Sequence, residues 1–478
     1  MDMIRTRKRS SYEVDMLNGP LFGKILRFSL ALTMTNVLQL LYSAADLVVI
    51  GRFSGSETAI AAVGATNALV SLIVNFFIGL SVGVSVMVAR GYGTGNRRSV
   101  EQVVHTAMSV ALICGLIVMT IGLCFSKTFL VWMGTSNAII DQSTLYLKIY
   151  FIGAPFNTIY NFGASILRST GDTKRPFYFL SLSGLVNVVL NLIFVCGFHI
   201  DVAGVAIATV ASQMLSAVLI LLCLMKQDGM CRFTVKKMRV HSDVLREILR
   251  IGLPASIQNT LFSISAVMVQ SSINFFDVTY AAPNTAPYTS GSSAANNIEG
   301  FIYTSLNSFQ HAAMSFTGQN YAAGKYNRTR KVLTCCIFTS FVVAILMGGA
   351  ALLFGKQLLA IYVPGDELAI TYGYQRLIVL CSTYFLCGFM EVLVGQLRGL
   401  GRSMVPMLIS VIGICGLRVF WITVVFAMTH DWQVLFLSYP ASWIITVAAQ
   451  FISYYLIQRK LPKQDLDLSA LQDQTQTA

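Results

Sequence analysis

Uninterrupted apolar runs of roughly 20 residues or more recur from one end of the chain to the other, each long enough to cross a hydrocarbon core as a helix. Twelve are read, at about 22–50, 58–89, 101–125, 142–166, 176–197 and 204–225, then 249–276, 292–317, 331–354, 368–396, 406–428 and 434–457. In hydrocarbon every backbone N–H and C=O must find its partner inside the protein, which leaves helices and closed barrels. The runs are continuous rather than alternating, so a barrel is disfavoured and the predicted fold class is an all-α membrane protein. Composition agrees, since 12% of the 478 residues are charged, against about 25% in a soluble domain.

The first six runs and the last six read alike. Leu167-Arg168-Ser169-Thr170-Gly171, ending at Pro176, returns as Leu397-Arg398-Gly399-Leu400-Gly401, ending at Pro406. Arg90-Gly91-Tyr92-Gly93-Thr94-Gly95-Asn96 answers Gln319-Asn320-Tyr321-Ala322-Ala323-Gly324-Lys325, and Ile25-Leu26-Arg27 with Asn36 answers Ile248-Leu249-Arg250 with Asn259. The offset grows from 223 at Asn36/Asn259 to 229 at Tyr92/Tyr321, which is assigned to a longer outer loop at about Asp277 to Ser293. The predicted organisation is a six-helix lobe at 1–225 with a basic N-terminus, a linker at 226–248, a second lobe at 249–457 and a tail at 458–478. Six spans are an even number, so both pseudo-symmetric lobes enter from the same side as a parallel repeat, and cargo sits between such repeats in transporters.

The net charge of +13 is a topology signal rather than a nucleic-acid signal. With the N-terminus in the cytoplasm, 28 of the 34 Lys and Arg fall on the cytoplasmic side, five fall outside (Arg52, Lys127, Lys148, Lys356, Arg376), and Arg418 stays within a helix. That obeys the positive-inside rule and predicts an inner-membrane protein with both termini cytoplasmic. Met1–Lys24 shows no short apolar core before a small-residue cleavage site, so the first span is expected to be its own insertion signal. Neither the ten Cys nor the five His show metal-ligand spacing, and no nucleophile or catalytic His pair is visible. No enzymatic activity and no cofactor are expected.

Several motifs together resemble a known family. Leu41-Tyr42-Ser43-Ala44-Ala45-Asp46-Leu47-Val48-Val49-Ile50-Gly51, followed by Ala61-Ala62-Val63-Gly64, resembles the first two helices of multidrug and toxic compound extrusion (MATE) transporters. Leu167-Arg168 through Gly171-Asp172-Thr173-Lys174 with Pro176 resembles the loop after their fourth helix. Asn297-Ile298-Glu299-Gly300-Phe301 and Gly318-Gln319-Asn320-Tyr321 with Gly324-Lys325 resemble their eighth helix and the loop after it. The similarity spans about 20–457. It implies a V-shaped pair of lobes that expels small organic, often cationic, compounds against inward H+ or Na+, with the bilayer as the other partner and a monomer as the working unit.

Three acids fall well inside the predicted helices, Asp46, Glu299 and Glu391, with Arg418 as the one clear base. A charge there is costly, so such residues face cavities, partners or ion paths. Asp46 matches the aspartate that the resembling transporters use for the coupling ion. Where one branch of that family has a second aspartate this chain has Asn191, which hydrogen-bonds but cannot exchange a proton, and Asn187 lies one turn away. A single exchanging carboxylate points to a single-ion cycle.

Glu391 either pairs statically with Arg418 on the next helix or forms an ion or drug site, whereas Glu299 reads as structural or as part of the cavity. Asn36, its repeat partner Asn259 and Tyr42 are placed at the cavity. The aromatics Phe76, Phe77, Tyr160, Phe162, Phe301 and Tyr303, with Met314, either line it for flat cations or pack against helices and lipid. The alternative function is a flippase for a lipid-linked oligosaccharide, disfavoured because an anionic pyrophosphate needs several basic residues.

Overall fold

Each predicted run is a helix in the computed structural model, which describes residues 12–53, 59–198, 200–227, 229–282, 285–462 and 464–466. The first six are α1 (Leu21–Phe53), α2 (Ala59–Thr94), α3 (Arg97–Trp132), α4 (Ile140–Ile152, resumed after Gly153 as Ala154–Thr170), α5 (Lys174–Leu192, closed by a π-helical turn at Ile193–Gly197) and α6 (Asp201–Lys226). The second six are α7 (Ser242–Tyr280), α8 (Pro287–Ala322), α9 (Tyr326–Leu353), α10 (Glu367–Gly399), α11 (Met404–Thr429, with π-helical stretches) and α12 (Trp432–Arg459). No strand occurs among the described residues. By length and apolarity alone ten of the helices qualify to cross a membrane. The other two are α4, broken at Gly153, and α8, rich in Ser, Thr and Asn.

Polar residues set several helix starts. Asn96 accepts from Ser99 N at 3.0 Å, Asp366 from Ala369 N at 2.9 Å, and Asp431 from Gln433 N at 2.7 Å, each satisfying a first-turn N–H that has no intrahelical partner. The start of α8 is held from a distance, because both carboxylate oxygens of Asp277 accept from Tyr288 N and Thr289 N at 2.9 Å. Pro287 at the first turn needs no such acceptor. This corrects the long outer loop expected at about Asp277 to Ser293. The additional residues of the second repeat mostly lengthen α7, which ends at Tyr280, and α8 begins at Pro287.

The chain divides into two compact units, Met1–Asp15 with Met34–Gly252, and Met16–Thr33 with Leu253–Ala478. They differ from the split expected at 225 and 249 in two places. Residues 16–33, including the first turns of α1, belong with the second repeat: Phe28 meets Phe316 edge-on with ring centroids 5.7 Å apart, and Met16 O accepts from Asn320 Nδ2 at 3.0 Å. The expected linker belongs to the first unit, for Cys231, Phe233 and Ile248 are buried in its core beside Val104 and Leu224. Phe233 N donates to Leu224 O at 3.0 Å, and Thr234 N to His105 Nε2 at 3.2 Å.

Within the second unit α8 and α10 make the most intimate pair. A Cβ on Gly291 or on Gly373 would run into the other helix's backbone. Lipid gives little hydrophobic reason for helices to associate, so close van der Waals packing of this kind holds them together.

Candidate ion-coupling site

Asp46 lies on α1, and its Oδ1 accepts from Asn191 Nδ2 of α5 at 2.5 Å. The same Nδ2 reaches Asn187 Oδ1 at 3.3 Å, one turn earlier on α5. Both asparagines are buried, and Asp46 is half-buried. One turn back along α1, Tyr42 Oη donates to the Ser181 carbonyl at 3.1 Å. Its ring occupies the place where a side chain on Gly184 would begin. Residues 42 and 46 therefore face 181, 184, 187 and 191, a spacing that puts each set on one helical face. The glycine lets the tyrosine ring lie flat against α5, and the carboxylate meets the asparagines beyond it. Tyr146 of α4 is close enough to act electrostatically on Asp46.

Two features suit this cluster to exchange an ion. No Lys or Arg pairs with Asp46 among the described residues, so no fixed cation neutralises it. Asn191 Oδ1 is buried without a hydrogen-bond partner, an acceptor that a proton on Asp46 or a small cation would satisfy. The π-helical turn Ile193–Gly197 follows directly, and such turns concentrate at functional sites because they shift the phase of a helix face. The repeat shows that the fold does not require these residues. At offsets of 223 for α1/α7 and 230 for α5/α11, Asp46 corresponds to Val269, Asn187 to Leu417 and Asn191 to Trp421.

The second unit places its charges differently from expectation. Arg376, counted on the outer side, is buried in α10, where Nε and Nη2 grip Glu299 Oε1 and Oε2 at 2.9 and 2.8 Å. Ser292 and Asn296 accept its remaining N–H groups. Glu299 is thus one half of a closed buried ion pair. Glu391 does not pair with Arg418 among the described residues. The Arg418 guanidinium sits over Tyr439, 4.0 Å from the ring centroid, while Glu391 is hydrogen-bonded by Tyr303 and meets Asn307 Nδ2 at 3.5 Å. The cation facing Glu391 is Arg398, seven residues on along α10, and Arg398 Nη2 donates to Gln258 Oε1 at 2.9 Å. The expectation of Arg418 as the one clear base inside the helices is corrected to three buried arginines among the described residues, Arg376, Arg398 and Arg418.

Asn36 and Asn259 are half-buried on α1 and α7. Among the aromatics, Phe77, Tyr160 and Phe162 are buried in the first unit's core, with Tyr160 Oη bonded to Pro176 O at 3.1 Å. Met314 is buried as well, which leaves half-buried Phe76 and Phe301 and exposed Tyr303 as surface-reaching residues. Sequence reasoning missed Gly184, Tyr146, Arg376 and Arg398. The i, i+7 spacing of Glu391 and Arg398 was the one available signal.

A duplicated bundle of membrane-crossing helices, with an unneutralised carboxylate held between two of them, is the architecture of a secondary transporter. The MatE family model matches residues 31–193 and again 263–424, one match in each half, and the chain belongs to that family. It is 27% identical over 444 residues to the probable multidrug resistance protein YoeA of Bacillus subtilis, covering 91% of this chain and 93% of that one. It is 23% identical over 409 residues to a FAD transporter of Shewanella oneidensis, covering 84% and 87%. A solved multidrug resistance MATE family transporter in an outward-facing conformation superposes with a TM-score of 0.88 at 20% identity, covering 96% of this chain and 100% of that one.

Proposed function

We propose that this chain exports organic, mainly cationic, compounds in exchange for inward H+ or Na+ by alternating access, with Asp46 as the exchanging carboxylate. The observation that carries the reading is the Asp46–Asn191–Asn187 chain, which sits where the second repeat is apolar and contains no competing cation. Asn191 holds one carboxylate oxygen, and the other is left to take a proton or coordinate a sodium ion. An ion arriving from outside neutralises Asp46, removing the cost of a charge in hydrocarbon, and leaves again when the site faces the cytoplasm. Exchange of one monovalent ion for one monovalent cationic drug moves no net charge. The membrane potential, worth about 2.3 kcal/mol per charge per 100 mV, then contributes nothing, and the ion gradient alone drives export.

The test is export of ethidium from cells making this chain, beside Asp46→Asn at matched membrane abundance. Export by the parent and none by the variant is expected. Equal export by both removes Asp46 from the mechanism and passes the role to Glu391.

One observation favours a second reading. Arg398 Nε and Arg418 Nε are buried without hydrogen-bond partners, and these two arginines, outside the closed Glu299–Arg376 pair, ease the shortage of basic residues that disfavours an anionic cargo. Under that reading the cargo is an anionic amphiphile such as a lipid-linked oligosaccharide, or a dinucleotide like that named for the Shewanella relative. Failure of the parent to export ethidium, with uptake of such an anion into inverted vesicles, would establish it.

A further inference from the structure

A cavity of about 260 Å3 lies beside the start of α5 and the end of α6, open to the surface of the first unit. Its walls are apolar, from Phe179, Leu219 and Leu222, and its rim carries Arg175 and Lys226. Arg175 is held in place from several sides. Its Nε binds the Asp172 carboxylate, its backbone N donates to Asp172 Oδ1 at 3.1 Å, and Nη1 lies 3.2 Å from Cys223 Sγ. The remaining nitrogen, Nη2, is buried with no hydrogen-bond partner. A guanidinium fixed against Asp172, with Glu13 also acting on it, stands beside the exposed ammonium of Lys226, which is the cation on the rim left without a carboxylate among the described residues.

The repeat again separates what the fold needs from what this place has. Pro176 corresponds to Pro406, so Arg175 corresponds to Val405, and the second half has no cation there. Arg459, which ends α12, is engaged with its own neighbour, its Cζ lying 4.5 Å from the Tyr455 ring centroid. Beyond the cavity, α5 and α6 present Leu182, Leu185 and Val218, all exposed and suited to acyl chains. A free anion would have no use for that apolar surface, whereas an amphiphile fills both parts.

We propose that this cavity binds an anionic phospholipid, its phosphate at the exposed Lys226 on the rim beside the Arg175 side chain and its acyl chains along Phe179, Leu219 and Leu222. The inference is independent of the cargo and of Asp46.

The experiment uses the purified full chain in neutral detergent, titrated with phosphatidylglycerol or phosphatidylcholine and read as bound lipid by native mass spectrometry. Phosphatidylglycerol should bind more tightly than phosphatidylcholine. Lys226→Gln should weaken phosphatidylglycerol by about fivefold, the factor for losing one cation near a phosphate surface, and leave phosphatidylcholine unchanged. Arg175→Gln should weaken it at least as much. Because Arg175 also anchors Asp172 and that variant can misfold, the exposed Lys226 decides the matter. Unchanged binding in Lys226→Gln, equal affinity for the two lipids, or full displacement by millimolar inorganic phosphate would each overturn the proposal, the last by making this a free-phosphate site.

Discussion

Replacing Glu299 by Gln tests whether the buried charges of the second unit hold structure or carry ions. Arg376 makes five hydrogen bonds, two to Glu299, two to Ser292 and one to Asn296. Its guanidinium also lies 5.2 Å from the centre of the Phe436 ring. Both side chains of the ion pair are about 5% exposed, so little solvent screens them. Glu299→Gln keeps the shape and most of the hydrogen bonds but leaves a guanidinium buried without its anion. Breaking a buried pair from one side costs about 3–5 kcal/mol. At about 2–4 °C per kcal/mol for a unit of this size, the melting point should fall by roughly 6–20 °C. The double variant Glu299→Leu/Arg376→Met removes the stranded charge together with its partner and should recover most of that loss. The assay is the fraction of protein surviving graded heating in detergent, read by size-exclusion chromatography. A single variant as stable as the parent, or a double variant no better than the single, would refute the reasoning. Loss of export in Glu299→Gln at matched folded abundance and stability would give Glu299 a part in transport instead.

Gly184→Val places atoms where the Tyr42 ring now lies and should cost about 1–3 kcal/mol while pushing α1 off α5. Ethidium export should drop further than the amount of folded protein in the membrane, and a proportional drop would mean that this contact only stabilises. In energised cells, nigericin, which collapses the pH gradient, should stop export by a proton-coupled single-carboxylate cycle, whereas valinomycin, which collapses the potential, should leave it intact. Inhibition by valinomycin would mean that a second charge moves and would bring Glu391 into the cycle.

The helices were legible because lipid leaves the chain few choices: a continuous apolar run has to be a helix, and its length is set by the bilayer. Asp46, Asn187 and Asn191 were also legible as residues, since polar groups stand out in such runs. Their meeting was expected only through the family resemblance, because it depends on Gly184 and on the contact of α1 with α5, which no periodicity reports. The arginines were misread for a different reason. Arg376 lies in the outer part of the run 368–396 and Arg398 just past its end, where a long cationic side chain commonly reaches for the membrane surface, so both were counted to the two sides of the membrane rather than to the interior. Their burial depends on acceptors contributed by α7 and α8, namely Gln258, Ser292, Asn296 and Glu299. The Glu391–Arg418 pair, one of two alternatives for Glu391, followed the order of helices in the chain, but the cation acting on Glu391 lay on its own helix.

The first turns of α1 have a consequence for synthesis. Residues 16–33 leave the ribosome long before their partners Phe316, Asn320 and Arg328, which are made about 300 residues later. At about 5–20 residues per second, the interval is roughly 15–60 s. Throughout it Phe28, fully buried in the finished molecule, lacks the Phe316 ring it packs against and must be shielded by lipid or by the insertion machinery. A gene cut between the two sequence repeats would make that wait permanent, so the halves visible in the sequence are not halves that can be made separately and each be whole.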